Sequence, residues 1–237
     1  MAWQKTASGA ATLSEALEIL RTHLDKFGIR DLAYGYMVEE QSHVRHDVVM
    51  IATIPAEVMR VYYKHGAFDF DPVADQVGDS NQPFCVDLKA LYQGREAAKF
   101  RGNVTMRAFL DRGYRFFWSF PFVDMELLGF GALTMHLKPD MDANSCDLQR
   151  LNAISNEFHQ LVKSCGLLAK SFDLTELEAT TLQSTMRGHT ASKIAEFESV
   201  STRTVEHRLQ SAREKLRAKT TAEAVFKAIA YGIIKDR

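Results

Sequence analysis

Cysteine is scarce in this 237-residue chain, and Cys85, Cys146 and Cys165 form no CxxC pair. An odd three cannot all be bridged, which argues against a disulfide-stapled secreted scaffold and for a reducing, cytoplasmic compartment. The start, Met1-Ala-Trp-Gln-Lys5, has none of the apolar core of a signal peptide. Long hydrophobic runs are missing too. The most apolar stretches, Phe116–Val123 and Leu127–Met135, fall short of the roughly 20 residues that span a bilayer, so no membrane partner is expected. Net charge is nearly nil, with 29 Lys/Arg against 30 Asp/Glu. Catalytic signatures are absent as well. There is no Gly-x-Ser-x-Gly and no P-loop, and Gly129-x-Gly131 lacks the third glycine and downstream acid of a dinucleotide site. His43 and His46 have no further ligands nearby in sequence, so no metal site is expected. These absences imply a protein that is not an enzyme and needs no cofactor.

What is present is a globular composition, 46% hydrophobic and 25% charged. Leu13, Ala16, Leu17, Leu20, Leu24 and Phe27 recur at helical spacing and end at Gly28. Short apolar segments at Leu32–Val38, Val48–Ile54, Phe116–Val123 and Leu127–Leu137 predict strands. The last two flank Asp124-Met125-Glu126, which reads as a hairpin turn. Helical stretches lie near Pro55–His65, Leu88–Arg112 and Leu148–Leu168. The mixture predicts an α+β N-terminal domain over residues 1–165, an antiparallel sheet between helical layers. A linker is expected at 166–173, although no Pro or Ser run marks it.

From residue 174 to 237 only short helices are predicted, four of them, and their caps are legible. Thr175 with Glu178 makes a capping box, Thr190 and Ser201 cap the next two helices, and Thr220 caps the last. Val200 and Val205 are spaced as a hydrophobic staple across the third start. Charge is uneven along the chain. Residues 1–172 hold 18 basic against 21 acidic side chains, and residues 173–237 hold 11 against 9. The third helix, from Ser201 to Lys219, carries six of those basic residues and only Glu206 and Glu214 as acids. A basic helix behind a short helix and a tight turn suits entry into a major groove, but charge alone fits an ordinary solvated face better.

The residues Leu174-Thr-x-x-Glu178, Leu182, Gly188-x-Thr190, Lys193-Ile194-Ala195 and Val200-Ser201-x-x-Thr204-Val205-Glu206-His207 form an ungapped run, followed by Lys215-Leu216. With Ala224 and Gly232-Ile233-Ile234 they closely resemble the LuxR-type DNA-binding domain; Leu177 departs from the usual Arg. The resemblance implies a helix-turn-helix fold whose third helix reads double-stranded DNA as a homodimer on an inverted repeat. Glu206 and Gln210, with Arg203, would face base edges. Lys193, Thr202, Thr204, Arg208 and Arg213 would face phosphates.

Upstream, Pro55-Ala-Glu57-x-x-x-x-Tyr62, Asp71-Pro72-Val73, Gln82-Pro83-Phe84, Arg112-Gly113 and a strand reaching Pro121 resemble, in order and spacing, the autoinducer-binding domain of the same regulators. On that resemblance Asp71 would accept a ligand amide N–H and Tyr62 would line the acyl-carbonyl side. Val58 and Val86 stand where the family has Trp, and Phe117 where it has Gly; Trp118 belongs to the same candidate ligand set. Read on residues alone, Asp71 before Pro could simply cap a turn, Tyr62 could be helix packing, and Phe116–Phe120 could be sheet core. The implied function is a quorum-sensing transcription regulator for an acyl-homoserine lactone. The alternative is an orphan relative that binds another small molecule or acts without one.

Overall fold

The computed structural model of the chain describes residues 2–38, 48–65, 71–77, 81–93, 104–124 and 129–235. His43 and His46, Met125 and Glu126 of the expected turn, and the middle of the stretch near Leu88–Arg112 lie outside them. The described residues fall into two compact units, one from the first 161 residues and one from residue 162 onward.

In the first unit, α1 (Ala2–Ala7) and α2 (Leu13–Leu24) lead into the sheet. Thr12 caps α2 by accepting the Glu15 N–H at 3.2 Å. Leu13, Leu17, Leu20 and Leu24 form one buried stripe, worth about 1.5–3 kcal/mol per leucine. A short 3₁₀ turn, Asp25–Phe27, then closes on Gly28, whose φ of 77° any side chain would strain. There follow β1 (Ile29–Val38), β2 (Val48–Ala52), α3 (Ala56–Lys64), α4 (Pro72–Val77), β3 (Phe84–Asp87), α5 (Leu88–Gln93) and α6 (Val104–Leu110). After them come β4 (Phe116–Asp124), β5 (Gly129–Leu137) and α7 (Leu148–Ser164). Sequence patterning had no place for β3; its four residues are too few for alternation to register.

The strands form one antiparallel sheet in the order β2-β1-β5-β4-β3. Its register gives the two faces different characters. Tyr34, Tyr36, Phe120, Phe122 and Leu133 share one face and pack against Phe158 and His159 of α7. His159 is tied there by both ring nitrogens: Nδ1 lies 2.9 Å from the Tyr34 hydroxyl and Nε2 3.3 Å from the Asp124 carboxylate. The opposite face carries small or polar residues, Ala33, Gly35, Ala132, Thr134 and His136, and looks toward α3, α4, α5 and α6. Helices therefore cover both faces, as the α+β pattern implied.

In the second unit, α8 (Leu167–Lys170) occupies the stretch expected to be a linker, with Leu167 and Leu168 buried. Four capped helices follow: α9 (Glu176–Met186), α10 (Ala191–Glu198), α11 (Thr202–Lys215) and α12 (Thr221–Ala230). Thr175, Thr190, Ser201 and Thr220 each accept the N–H three residues on, and Val200 packs against Val205.

Glu178 does more than close the capping box. Its carboxylate accepts the Thr175 N–H at 2.7 Å, the Lys215 ammonium at 2.8 Å and the Ser211 hydroxyl at 2.6 Å, so it fastens α9 to α11. Burial alone would raise its pKa, but these donors win and hold it at about 2. The folded value lies below the unfolded 4.5, so the stabilisation is complete above pH 4.5 and erodes as pH falls toward 2. Replacing Glu178 by Gln should cost about 1–3 kcal/mol in urea unfolding at pH 7 and flatten the loss of stability between pH 4.5 and 2. Equal acid slopes in the two proteins would refute this role.

Candidate functional site

The hollow under the sheet is the first candidate. It has a volume of about 130 Å³, some ten times what one water needs on the same measure. Its floor is the small-residue face of β1 and β5. Its roof is apolar, with Met59 of α3, Val77 of α4, and Met106 and Phe109 of α6. Gly35 keeps the floor open, because a Cβ built there would meet nothing within 4 Å. Gly131 serves the backbone instead: its Cβ would come within 2.0 Å of the Gly35 carbonyl oxygen.

Polar atoms are few in this wall. Tyr62, on the inward face of α3, donates its hydroxyl to Asp71 Oδ2 at 2.6 Å. Asp71 precedes Pro72 and accepts the Val73 N–H at 2.9 Å through Oδ1. Asp71 thus caps the start of α4 and also lines the cavity beside Tyr62. Ionised carboxylate oxygens accept more than one hydrogen bond each. The pair therefore offers a polar corner in an apolar chamber, suited to a ligand with one hydrogen-bonding end.

Phe117, which stands where the family has Gly, lines the cavity. Val58 and Val86 are buried in the apolar cluster that includes Tyr62 and Phe117, but neither is on the cavity wall. Trp118 is a correction. It pairs with Met135 on the opposite face of the sheet, and its indole N–H donates to the Ala143 carbonyl at 3.1 Å. A strand reverses face at each residue, so Phe117 and Trp118 cannot both point at the cavity. The sequence reading also missed Thr134 and His136. Their signal was there: two polar residues two apart in the otherwise apolar run Gly129–Leu137 mark one face of a strand.

The second candidate is the outer face of α11. Val205, Ala212 and Leu216 are buried, while Thr202, Arg203, Thr204, Glu206, His207 and Gln210 are exposed. Ser199, in the left-handed region at φ 54°, turns the chain sharply between α10 and α11. Arg203 and Glu206 are three residues apart, and Gln210 is four beyond Glu206, where its amide donates to Glu214 at 3.0 Å. Lys193 is exposed and paired with Glu196 at 2.9 Å. Arg208 and Arg213 are less accessible than their expected phosphate role required. Arg208 is ion-paired with Glu198 at the end of α10, and Arg213 is half-buried, its Nε without a partner among the described residues. Arg208 thereby fixes the turn between the two helices.

Comparison with known proteins gives three results. The model of the family described as the autoinducer binding domain matches residues 12–162. Among curated protein sequences nothing matches the chain. Among solved structures it is similar to SdiA of Escherichia coli, with a TM-score of 0.57 and 14% identity over 99% of both chains. It is equally similar to SdiA in complex with octanoyl-rac-glycerol, at 0.57 and 15% identity over 100% of this chain and 97% of that one. CepR2 of Burkholderia cenocepacia, described as an N-acylhomoserine lactone dependent LuxR family transcription factor, gives 0.51 and 19% identity over 69% of this chain and 90% of its own. At these identities the likeness is one of fold.

Substitutions at Gly35 and Gly131 should have opposite effects. Gly35→Val puts a branched side chain into the hollow from a position where a Cβ meets nothing within 4 Å, so the melting temperature should hold or rise while uptake of benzene, followed by NMR, is lost. Gly131→Ala should instead lower stability by about 1–3 kcal/mol, because backbone must move to admit the methyl. A Gly35→Val protein that still took up benzene would show the hollow lies elsewhere.

Proposed function

The chain belongs to the autoinducer-binding domain family, and from that membership we propose that it is a ligand-responsive, DNA-binding transcription regulator, a quorum-sensing receptor for an acyl-homoserine lactone. The observation that carries the ligand half is the Tyr62 hydroxyl held 2.6 Å from the Asp71 carboxylate at the edge of an apolar chamber. An acyl amide presents an N–H for the remaining acceptor capacity of Asp71 and a carbonyl oxygen that can take the Tyr62 proton in exchange for its bond to Asp71, with an apolar tail for the space under β1 and β5. A second reading, an acyl ligand other than a lactone, is favoured by Val58, which has no donor for a lactone carbonyl. The complex of SdiA with octanoyl-rac-glycerol is consistent with that reading.

The DNA half rests on α11 and on the residues that resemble a helix-turn-helix domain. In our reading residues 174–237 form that domain, with 1–165 as the sensor. The exposed edge Arg203, Glu206 and Gln210 would meet bases. Thr202, Thr204 and Lys193 would meet phosphates, with Arg208 and Arg213 in support. One such helix reads only a few base pairs, so a homodimer on an inverted repeat follows from the size of the reader. A protein with this role works on cytoplasmic DNA, and among the described residues no helix is long and apolar enough to cross a membrane.

Two measurements test the two halves. Asp71→Asn replaces an acceptor-only group with one that also donates, and should weaken acyl-homoserine lactone binding at least tenfold in calorimetry, consistent with the ~1.5–3 kcal/mol of a charged hydrogen bond. Undiminished affinity would remove Asp71 from the site. In gel shifts across a salt series, Lys193→Ala should lower the slope of log K against log salt by about one for every sequence. Gln210→Ala should change base preference at one position per half-site by ~1–3 kcal/mol. A chain that shifts no DNA fragment at low salt would refute the DNA reading.

A further inference from the structure

His136 is a buried side chain that the pairing of Tyr62 with Asp71 leaves unused. It lies on the cavity face of β5, two residues from Thr134, lines the chamber, and is only 5% exposed. Among the described residues, its buried Nδ1 has no hydrogen-bond partner. The rings around it cannot supply one. Phe109 and Phe117 stand 6.0 and 5.1 Å away and carry no polar atom. Tyr114, at 5.4 Å, gives its hydroxyl to Asp31 at 2.7 Å. His159, in the same unit, shows what a structural buried histidine looks like here, with both nitrogens facing partners. Leaving a buried polar group unpaired costs about 1–3 kcal/mol, and such groups in folded proteins call for a specific cause.

Burial, with Arg30 adding repulsion, lowers the His136 pKa to about 3. The ring is therefore neutral at physiological pH, with one donor and one acceptor nitrogen. A neutral imidazole among aromatic rings has no charge to offer an anion, but matches an uncharged oxygen that can accept or donate. We propose that His136 is a second polar anchor in the chamber, hydrogen-bonding a hydroxyl or keto oxygen on the apolar chain of the ligand and so deciding which acyl chains are accepted. This rests on the reading above that the chamber holds an acyl amphiphile. Where Tyr62 and Asp71 recognise the polar end, His136 discriminates among chains.

The test is calorimetry on the full chain with N-octanoyl-homoserine lactone and with analogues carrying a hydroxyl or keto group at successive chain carbons. One substituted analogue should bind at least tenfold more tightly than the plain chain. His136→Leu should bring that ratio to about one, whatever its effect on the plain chain. His136→Asn, which keeps a donor and an acceptor, should retain a ratio above three. A purely structural role would weaken all analogues alike and leave the ratio unchanged in His136→Leu, which would overturn the proposal. Binding of every analogue no better than the plain chain would overturn it too, with the acyl-lactone reading intact. If neither the plain chain nor any analogue bound, the acyl-lactone reading itself would fall, and this inference with it.

Discussion

Strands β1 and β5 place Tyr34, Tyr36 and Leu133 on one face of the sheet and Ala33, Gly35 and Ala132 on the other, and the site depends on that asymmetry. Close packing is the rule in protein interiors, and a void of this size has to be held open. The aromatic face is filled by Phe158 and His159 of α7, which locks the sheet to its helical backing. The small-residue face leaves the helices on the other side resting on their own side chains, with space beneath. Met59, Met106 and Phe109 line that space with flexible or flat apolar groups that adapt to what enters.

If the chamber holds the proposed ligand, the scarcity of polar atoms sets its specificity. An apolar wall binds chains of many lengths with similar energy per methylene, so discrimination comes from the few groups that demand a partner. Tyr62 and Asp71 are pre-organised by their mutual hydrogen bond and by the Val73 N–H, which keeps the carboxylate in one orientation. The second unit follows a similar logic. Its helices are set by caps and by Glu178 and Arg208, which fix α9 and α10 to α11. Fixing those helices leaves Arg203, Glu206 and Gln210 on an outer face that the core does not need.

Much of this was legible in the sequence, and the reasons differ by element. The leucine stripe of α2, the capping box of α9 and the staple at Val200 are local devices, encoded within a few residues, and each appears as read. The association of Tyr62 with Asp71 was implied only by family resemblance, since nine residues of spacing do not themselves bring two side chains together. Trp118 was misplaced because aromatic content was weighed without the parity of the strand. His136 went unnoticed because a lone histidine in an apolar run gains meaning only once neighbouring strands show which face is hollow. Arg208 read as a cation for phosphate, and its partner Glu198, ten residues earlier, became visible only when the turn at Ser199 folded the two helices together.

On the function proposed above, the space between the sheet and α3, α4, α5 and α6 is a binding site for an acyl amphiphile rather than a packing defect. The most direct measurement is to purify the full chain from its own host under native conditions, denature it, and identify by mass spectrometry what is released. The account predicts a small molecule with an acyl chain and a hydrogen-bonding head, at about one per protein chain. A folded protein that releases nothing, or only molecules without an apolar chain, would contradict it.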